Sequence, residues 1–420
     1  MPKFLLVMLC LSLSVRADDL GTMITKTLQS HPDILVEKSR LNIAKTQLDL
    51  ASEQFLPTFS VSFENVAATR DSDISYANSQ SVATFRLQQP LYTFGRLTHA
   101  KNKFYAGYES QTLTINEVQV ELAQAVLQSW GEWFVATLRS DALAKSIDTH
   151  KKLKESVTRR SNLGASSPSE VKLSLARLAQ IEAQAANAEL QIRAAKVKLE
   201  QLIGESIPIT LTPRQFLAFE PSNEAVMIQN ALAINPTLKR FAADIKRSEF
   251  ENLEEISALA PEIYLRAEHQ RGDFSTSIPF QNRVFVGFQS DFGAGSSALM
   301  EVKLSEQRTQ TLKAEVKVVE RDIAERVKLE LTQLEILDIR QEALELSLSA
   351  NQDIAEAFNR QYLAGRRSWV EVMNTARELS QAELELADLK AAKVLSYWRL
   401  SFLVNGLEET LALNQIVNMK

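Results

Sequence analysis

Two short clusters of arginine, glycine, serine and glutamate recur in the chain with the same internal spacing. The first comprises Arg159, Gly164, Ser167 and Glu170, and the second comprises Arg360, Gly365, Ser368 and Glu371. Glycine can adopt the left-handed backbone that ends a helix, and serine can cap the helix that follows. The clusters therefore predict two helix-turn-helix tips that carry polar side chains. The alternative is that they are turns with no further role.

The other residues with reactive side chains do not form a catalytic pattern. His31, His99, His150 and His269 are scattered without the spacing of metal ligands. The stretch Gly293-Ala294-Gly295 lacks the glycine pattern and the βαβ context of a nucleotide site, and it is better explained as a strand-to-helix turn. No P-loop and no nucleophile-base or paired-acid constellation is recognisable. The sequence therefore predicts no enzyme, no cofactor and no metal site.

The two clusters belong to a duplication of the whole chain. The landmarks of the first half are Pro32, Pro57, the turn at Gly95 and the first cluster. About 200 residues later they recur as Pro236, Pro261, the turn at Gly293 and Gly295, and the second cluster. Such a constant offset indicates that one structural unit was duplicated, so both halves have the same fold.

The first residues have the features of an export signal. Lys3 precedes an apolar run from Phe4 to Val15, and Val15-Arg16-Ala17 is a small-residue cleavage site before Asp18. A transmembrane anchor is the alternative, but the run is shorter than the ~20 residues that a spanning helix needs. The single cysteine, Cys10, lies inside this signal, and Leu9 before it fits a lipoprotein site poorly. The mature chain is therefore predicted to lack thiols, disulfides and a lipid anchor.

Composition narrows the class further. Of 420 residues, 45% are hydrophobic and 24% are charged, and the net charge of -5 gives no basic excess for binding nucleic acid. After residue 17 no apolar run approaches the length of a spanning helix, so any crossing of a membrane must use β-strands.

Long stretches rich in strong helix formers contain no proline, and their only glycines are Gly107 and Gly131, which predicts long helices. The predicted helical stretches are Asp33 to Leu56, Arg96 to Leu163, Ser169 to Ile203, Thr237 to Ala260, Ala298 to Ala364 and Arg366 to Asn405. A helix over Ala298 to Ala364 would be about 100 Å long. Apolar residues at Val316, Val319, Ile323, Val327, Leu331 and Leu334 form one stripe for packing against a neighbour. The chain is therefore expected to consist mainly of long antiparallel coiled helices.

Each half also contains two segments of period-two alternation, which predicts strands with one apolar and one polar face. They contain Phe59, Val61 and Phe63; Ala83, Phe85 and Leu87; Ile263, Leu265 and Ala267; and Val284, Val286 and Phe288. The polar segments Asp71 to Ser79 and Arg271 to Gln281 are predicted hairpin loops. Four strands cannot close a barrel, and open edges are not tolerated in lipid, so several copies of the chain must contribute strands.

In order and duplicated, these features resemble the TolC family of outer-membrane export ducts over nearly the whole mature chain. The residues that carry the resemblance are His31-Pro32 and Asn235-Pro236, Leu56-Pro57 and Ala260-Pro261, the turn from Gln89 to Arg96, and the two G-x-x-S-x-x-E-V tips. The resemblance implies a mainly α-helical homotrimer, with a twelve-stranded barrel in the outer membrane of a Gram-negative bacterium and a helical tunnel through the periplasm. The segment from Tyr362 to Trp369 is most similar to the type I secretion branch that exports large adhesin-like proteins.

The resemblance also assigns roles at the tips. Arg159, Gly164, Ser167, Arg360, Gly365 and Ser368 would dock a periplasmic adaptor protein that works with an inner-membrane ABC transporter. Tyr362 and Arg367 would form a gate latch by bonding across to Ser169 and Glu170, although a solvated ion pair at a helix end is the alternative. A partly exposed pair of this kind is worth about 1 kcal/mol or less, so a partner could break it.

Glu371 stands where the family places an acidic ring at the constriction. Three copies would concentrate negative charge, favour cations and bind blocking metal ions. The family often has a second acid one helical turn later, but this sequence has Asn374. Weaker cation selectivity and weaker block are therefore expected. Without the resemblance, Glu371 would be interpreted as a surface residue.

These inferences define five segments, namely a signal peptide at 1–17, a first repeat at 18–204, a joining segment at 205–222, a second repeat at 223–405 and a closing segment at 406–420. The strand pairs fall at about 58–93 and 262–291. The joining and closing segments suit the equatorial belt of the family, and the first is also compatible with a linker. The expected function is a passive duct for type I secretion of a large protein. The alternatives are a duct for small-molecule efflux and a soluble periplasmic coiled-coil scaffold.

Overall fold

The fold is given by a computed structural model that describes residues 20–65, 81–206, 221–272, 282–290 and 293–419. The predicted signal peptide at 1–17, the predicted loop Asp71 to Ser79 and most of the joining segment at 205–222 lie outside these residues. The same holds for all but the first two residues of the predicted loop Arg271 to Gln281.

Helices make up most of the described chain. In chain order the elements are α1 (Leu20–Ser30), α2 (Pro32–Glu53), β1 (Thr58–Asn65), β2 (Ser81–Tyr92), α3 (Arg96–Asn162), α4 (Pro168–Ile203), α5 (Glu224–Ile234), α6 (Pro236–Ala258), β3 (Glu262–Gly272), β4 (Asn282–Gln289), α7 (Ser297–Leu363), α8 (Trp369–Val404) and α9 (Gly406–Met419).

The two halves of the chain have the same elements with nearly the same lengths. Both α3 and α7 contain 67 residues, and both α4 and α8 contain 36. The six predicted long helices all form, and their ends agree with the predicted stretches to within about three residues, as is usual for fraying helix ends. Long helices follow because these stretches lack interior prolines and consist largely of leucine, alanine, glutamate and lysine.

Three shorter helices were not predicted. The helix α1 buries Leu20, Met23, Ile24 and Thr27, which lie on one face at spacings of three and four residues. The helices α5 and α9 contain 11 and 14 residues, so each offers too few turns for a clear periodic pattern. The closing segment at 406–420 forms the helix α9.

The four strands form one antiparallel sheet in the order β1-β2-β3-β4. Phe59 pairs with Leu87, Leu87 with Ala267, and Ala267 with Val284, so the apolar residues of all four strands share one face. This face is open to solvent in the single chain, since Phe63 is 69% exposed and Phe288 is 79% exposed. Both outer strands, β1 and β4, have one edge without a paired strand among the described residues.

The chain divides into two compact units, each built from segments of both halves. One comprises residues up to Ile34, Gln119–Ile234 and Ile323–Lys420, and the other comprises Leu35–Val118 and Asn235–Asp322. In the first unit, the side chains of α1, α3, α4 and α8 form an apolar core around Trp130, Trp133 and Trp398. Within α7 the predicted stripe is buried at Ile323, Val327 and Leu334.

The second unit contains the sheet and a more polar helical interior. Asp244 accepts hydrogen bonds from Ser110 (2.6 Å) and from Arg240 (2.6 Å), and Arg240 also donates to Glu117 (2.7 Å). A buried hydroxyl pair joins Ser248 and Thr309 at 2.7 Å. In the part of the chain that the structure describes, no helix combines the length and the apolar character required to span a membrane.

Candidate functional site

Both predicted tips form, and both lie in the first unit. At the first tip α3 ends at Asn162 and α4 begins at Pro168, and at the second α7 ends at Leu363 and α8 begins at Trp369. Gly164 and Gly365 have φ angles of +75° and +74°, the left-handed conformation in which glycine is strongly favoured. No atom lies within 4 Å of the position that a Cβ would take at either glycine. These positions therefore favour glycine for its backbone freedom and not for lack of space.

The hydrogen bonds of the two turns are equivalent. The Ala165 amide donates to the Arg160 carbonyl at 2.8 Å, and the Arg366 amide donates to the Gln361 carbonyl at 2.9 Å. Each is the long backbone bond of a Schellman ending, which satisfies a carbonyl that the helix leaves free.

A capping box begins the helix after each turn. At the first tip the Glu170 amide donates to Ser167 Oγ at 3.3 Å, and the Ser167 amide donates to Glu170 Oε2 at 3.2 Å. At the second tip the Glu371 amide donates to Ser368 Oγ at 3.4 Å, and the Ser368 amide donates to Glu371 Oε2 at 3.0 Å. The repeated Ser-x-x-Glu spacing is thus explained by reciprocal capping, with the carboxylate near the positive end of the helix dipole.

Side chains tie the two tips to each other. The hydroxyls of Tyr362 and Ser166 share a hydrogen bond of 2.7 Å. Arg160 lies over the Tyr362 ring, 4.9 Å from its centroid, and donates to the Leu363 carbonyl at 3.1 Å. A cation over an aromatic face contributes about 0.5 to 1 kcal/mol at a partly exposed site. Arg160 and Ser166 of the first tip therefore hold the end of α7.

An apolar cluster supports these polar contacts. Trp369 is fully buried, and its ring lies 4.8 Å from that of Tyr362. Leu153 and Val157 of α3 pack into the same cluster, together with Val372, Met373 and Ala376 of α8. Buried aromatic pairs are stabilising through both area and ring geometry. The tip is consequently a packed structure and not only a pair of solvated turns.

The predicted latch residues lie at the tips, and within the chain they have other partners. Tyr362 bonds to Ser166 and not to Ser169, which is exposed. Arg367 donates to Gln361 at 3.0 Å and to Glu371 at 2.5 Å, and it lies 4.2 Å from the Phe358 centroid. The carboxylate of Glu170 is engaged by its own capping box. A latch to Glu170 and Ser169 stays a prediction.

Glu371, the predicted ring residue, is held by its own helix. The Ser368 amide and hydroxyl and the neighbouring Arg367 lower the pKa of this carboxyl to about 2. Glu371 is therefore ionised throughout the neutral range. Its charge is accompanied by that of Arg367, with both side chains about 40% exposed. Asn374 follows one turn later and is exposed, so the two predicted ring residues share a helix face.

The remaining predicted docking residues are accessible. Arg159 and Arg360 are exposed near the ends of α3 and α7, and Arg360 pairs with Glu356 at 3.4 Å. Leu163 at the first turn is 83% exposed. Each tip thus presents a cation and an apolar side chain around its glycine.

Sequence reasoning missed Arg160 and Ser166, although their positions carry a signal. Arg160 precedes Gly164 by four residues, and the equivalent position before Gly365 is Gln361. Ser166 follows Gly164 by two residues, and the equivalent position after Gly365 is Arg367. An alignment of the two tips would have shown that Arg160 precedes the glycine of the first tip, whereas Arg367 follows the glycine of the second tip.

The described residues contain no group of His, Cys, Asp or Glu side chains placed to hold a metal ion. The described elements are a duplicated set of long helices, each set carrying an amphipathic strand pair. The family model for outer membrane efflux proteins matches residues 23–205 and 227–406. The chain belongs to the outer membrane efflux protein family, and the predicted membership of the TolC family is confirmed.

Solved structures of such channels share the fold. CusC matches with a TM-score of 0.79 and 16% identity, covering 92% of this chain and 91% of that chain. The outer membrane protein VceC of Vibrio cholerae matches with a TM-score of 0.75 and 14% identity, covering 93% and 95%. The open state of the Neisseria gonorrhoeae MtrE outer membrane channel matches with a TM-score of 0.73 and 16% identity, covering 92% and 89%. A comparison with curated protein sequences gave no significant match.

Three of the predictions can be compared with this family assignment. The two-repeat, mainly helical fold class with four strands per chain is confirmed. The protein is an outer-membrane channel component of a Gram-negative bacterium that extends into the periplasm. It is not an enzyme, because the channels of this family are passive ducts.

Proposed function

We propose that the chain forms a homotrimeric duct in the outer membrane for type I secretion of a large protein such as an adhesin. The observation that carries the proposal is the four-stranded sheet with one exposed apolar face and two unpaired edges. An apolar face suits lipid, and each unpaired edge needs a strand from another copy, because backbone groups in lipid must find partners. Three copies would close a twelve-stranded barrel.

The surface of α7 supports the side-by-side packing of copies. Besides its buried stripe, α7 carries a second apolar stripe at Ile336, Ile339 and Leu346, with exposed fractions of 46%, 67% and 73%. Ala343 and Ala350 complete the alternating spacing of three and four residues, which is typical of a coiled-coil seam. A helix with apolar seams on two sides packs between two neighbours. That arrangement suits the wall of a helical tunnel.

The partners in this proposal are a periplasmic adaptor and an inner-membrane ABC transporter. The exposed cations Arg159 and Arg360 and the exposed side chain of Leu163 at the turns give an adaptor both charged and apolar contacts. The duct itself supplies no energy, which fits a chain without a nucleotide-binding motif. Export would be driven by the transporter.

The choice of a large protein as substrate rests on the segment from Tyr362 to Trp369, which resembles the type I branch. Small-molecule efflux is the second candidate, and the matched channels are too distant in sequence to bear on substrate. The discriminating experiment deletes the gene and measures both the secreted proteome and the susceptibility to toxic compounds. Loss of one large secreted protein with unchanged susceptibility supports the proposal, and the reverse result supports efflux.

The gate proposal concerns Arg367 and Glu371. Arg367 is held by an ion pair, a hydrogen bond and an aromatic ring, and each of these contributes about 1 kcal/mol or less at a partly exposed site. We infer that Tyr362 and Arg367 also reach Ser169 and Glu170 of an adjacent copy when the tips are closed. An adaptor that contacts the tips could then replace these weak bonds.

Single-channel conductance in planar bilayers tests the duct and the gate together. The purified protein, confirmed as a trimer by native mass, is expected to give small cation-selective openings. Arg367→Ala should raise the conductance, and Glu371→Gln should reduce the cation selectivity. Arg360→Ala is the matched control, because it removes one exposed arginine whose ion pair lies within α7. Equal conductance of Arg367→Ala and wild-type trimers would refute the latch, and failure to insert would refute the duct.

A further inference from the structure

Three arginines lie close together on the polar face of the sheet. Arg86 pairs in register with Glu268, and Glu268 pairs with Arg283, so the three residues form one row across β2, β3 and β4. Arg266 lies two residues before Glu268 on the same face of β3. We call Arg86, Arg266 and Arg283 the arginine band.

Arg266 is held in a defined position by its surroundings. Its guanidinium lies 4.2 Å from the Phe285 centroid and 5.5 Å from the Tyr264 centroid. Tyr264 is buried over Gly287, where an added Cβ would come within 2.6 Å of the tyrosine ring. Gly287 therefore provides the room that the ring needs, and the ring in turn supports the arginine.

Glu268 orders Arg86 and Arg266 but does not balance their combined charge. The Glu268 side chain is only 8% exposed, accepts a hydrogen bond from Arg86 Nε at 2.8 Å and lies 3.3 Å from Arg266 Nε. Among the residues that the structure describes, the other acids on this face are at the strand ends, where Glu64 pairs in register with Val82 and Glu262 bonds to Arg96. Two arginines of the band, Arg86 and Arg266, thus share one carboxylate.

The side chain of Arg86 remains open to a ligand. It is 45% exposed, and its bond to Glu268 uses Nε. A guanidinium has five N–H donors and can bind a carboxylate in a bidentate way. The Nη groups of Arg86 can therefore donate to an anionic group while Glu268 holds the side chain in place.

We propose that the arginine band is an anion-binding ring that engages carboxylate-rich segments of the exported polypeptide. This inference rests on the proposed function, because the polar face lines a lumen only when copies close the barrel. Three copies would place nine arginines in two neighbouring rows of that lumen. Rings of arginine are a known physical basis of anion preference in pores.

The test measures block of single wild-type channels by poly-L-glutamate, added to the side that carries the strand loops. Poly-L-lysine of the same length is the probe of opposite charge. Arg86→Gln should weaken block by poly-L-glutamate about tenfold, because each copy loses a charge-assisted contact. Arg271→Gln is the matched control, since Arg271 pairs with Ala83 on the apolar face and loses the same charge.

The variants separate the possible outcomes. Arg86→Lys keeps the positive charge but loses the planar guanidinium that can bind a carboxylate through two N–H groups. A loss of block between those of wild type and Arg86→Gln therefore indicates bidentate binding. Arg283→Gln tests the same ring if the Arg86 variants fail to assemble. Equal block of wild type and both glutamine variants of the band would overturn the inference while leaving the duct intact. Equal weakening by Arg271→Gln would also overturn it, and absence of wild-type channels would overturn the proposed function first.

Discussion

Gly365→Ala isolates the backbone requirement of the second tip. Gly365 has a φ angle of +74°, and an added Cβ meets no atom within 4 Å, so conformation alone determines the effect. The left-handed backbone costs an L-residue about 1 to 2 kcal/mol. The substitution also removes about 0.4 to 1 kcal/mol of unfolded-chain entropy, which partly offsets that cost. We expect the tip to be destabilised by about 1 kcal/mol.

The assay is amide hydrogen exchange of the assembled protein, read in peptides that cover the end of α7 and the start of α8. A loss of about 1 kcal/mol makes local opening about fivefold more frequent, so exchange there should be about fivefold faster. The first tip, with unchanged Gly164, is the internal reference. Gly365→Asn should have a smaller effect, because asparagine tolerates the left-handed conformation better.

Gly107→Ala is the opposing control. Gly107 lies inside α3, and its added Cβ would be 3.7 Å from Arg247 Cδ, an ordinary contact. The same chemical change should therefore stabilise this segment by about 0.5 to 1 kcal/mol and slow its exchange. The reasoning fails if Gly365→Ala leaves tip exchange unchanged, or if both alanine variants change exchange in the same direction.

Two further predictions concern the buried residues His150 of α3 and Trp369 of α8. Burial lowers the pKa of His150, and the positive charge of Arg177 lowers it further. The contact of His150 with the Ser146 carbonyl at 2.9 Å acts in the opposite direction. The unfolded chain then binds the proton more readily, so stability should fall as pH drops through about 6.5. His150→Leu should reduce this loss, as measured by melting temperature at pH 7.5 and 5.5; an identical pH dependence would contradict it. Trp369→Ala should destabilise the tip by about 3 to 5 kcal/mol because Trp369 is fully buried. Trp369→Phe should cost clearly less in the same melting experiment, and equal losses would argue against a packing role.

The long helices and the strands could be predicted because local patterns specify them. Helix α7 contains neither glycine nor proline, and this local feature alone indicates a continuous helix, without any information about tertiary contacts. The alternation around Phe59 and Val284 indicates strands with one apolar face, and the register places both on that face. Because the chain is duplicated, each of these sequence patterns occurs in both halves. The short helices α1 and α5 were not predicted, because their positions depend on burial against segments that are distant in sequence.

The tips were predicted as turns, but their contacts were not. The spacing of glycine and serine determines where the helices end and begin. It does not determine how the two hairpins face each other, since that depends on packing between residues about 200 positions apart. The bond between Tyr362 and Ser166, which precedes the capping serine, was therefore not predicted, and the latch to Ser169 and Glu170 stays a prediction. The role of Trp369 as a buried anchor also follows only from packing.

The exchange of side chains between the two tips has a consequence for symmetry. Arg160 and Ser166 at the first tip correspond to Gln361 and Arg367 at the second, so the backbones repeat while the charges do not. In the proposed trimer, six tips would share one backbone shape but alternate between two chemical kinds. Their ring has threefold and not sixfold symmetry. An adaptor that recognises the tips through their side chains must therefore either bind three tips of one kind or bind neighbouring tips in two different ways.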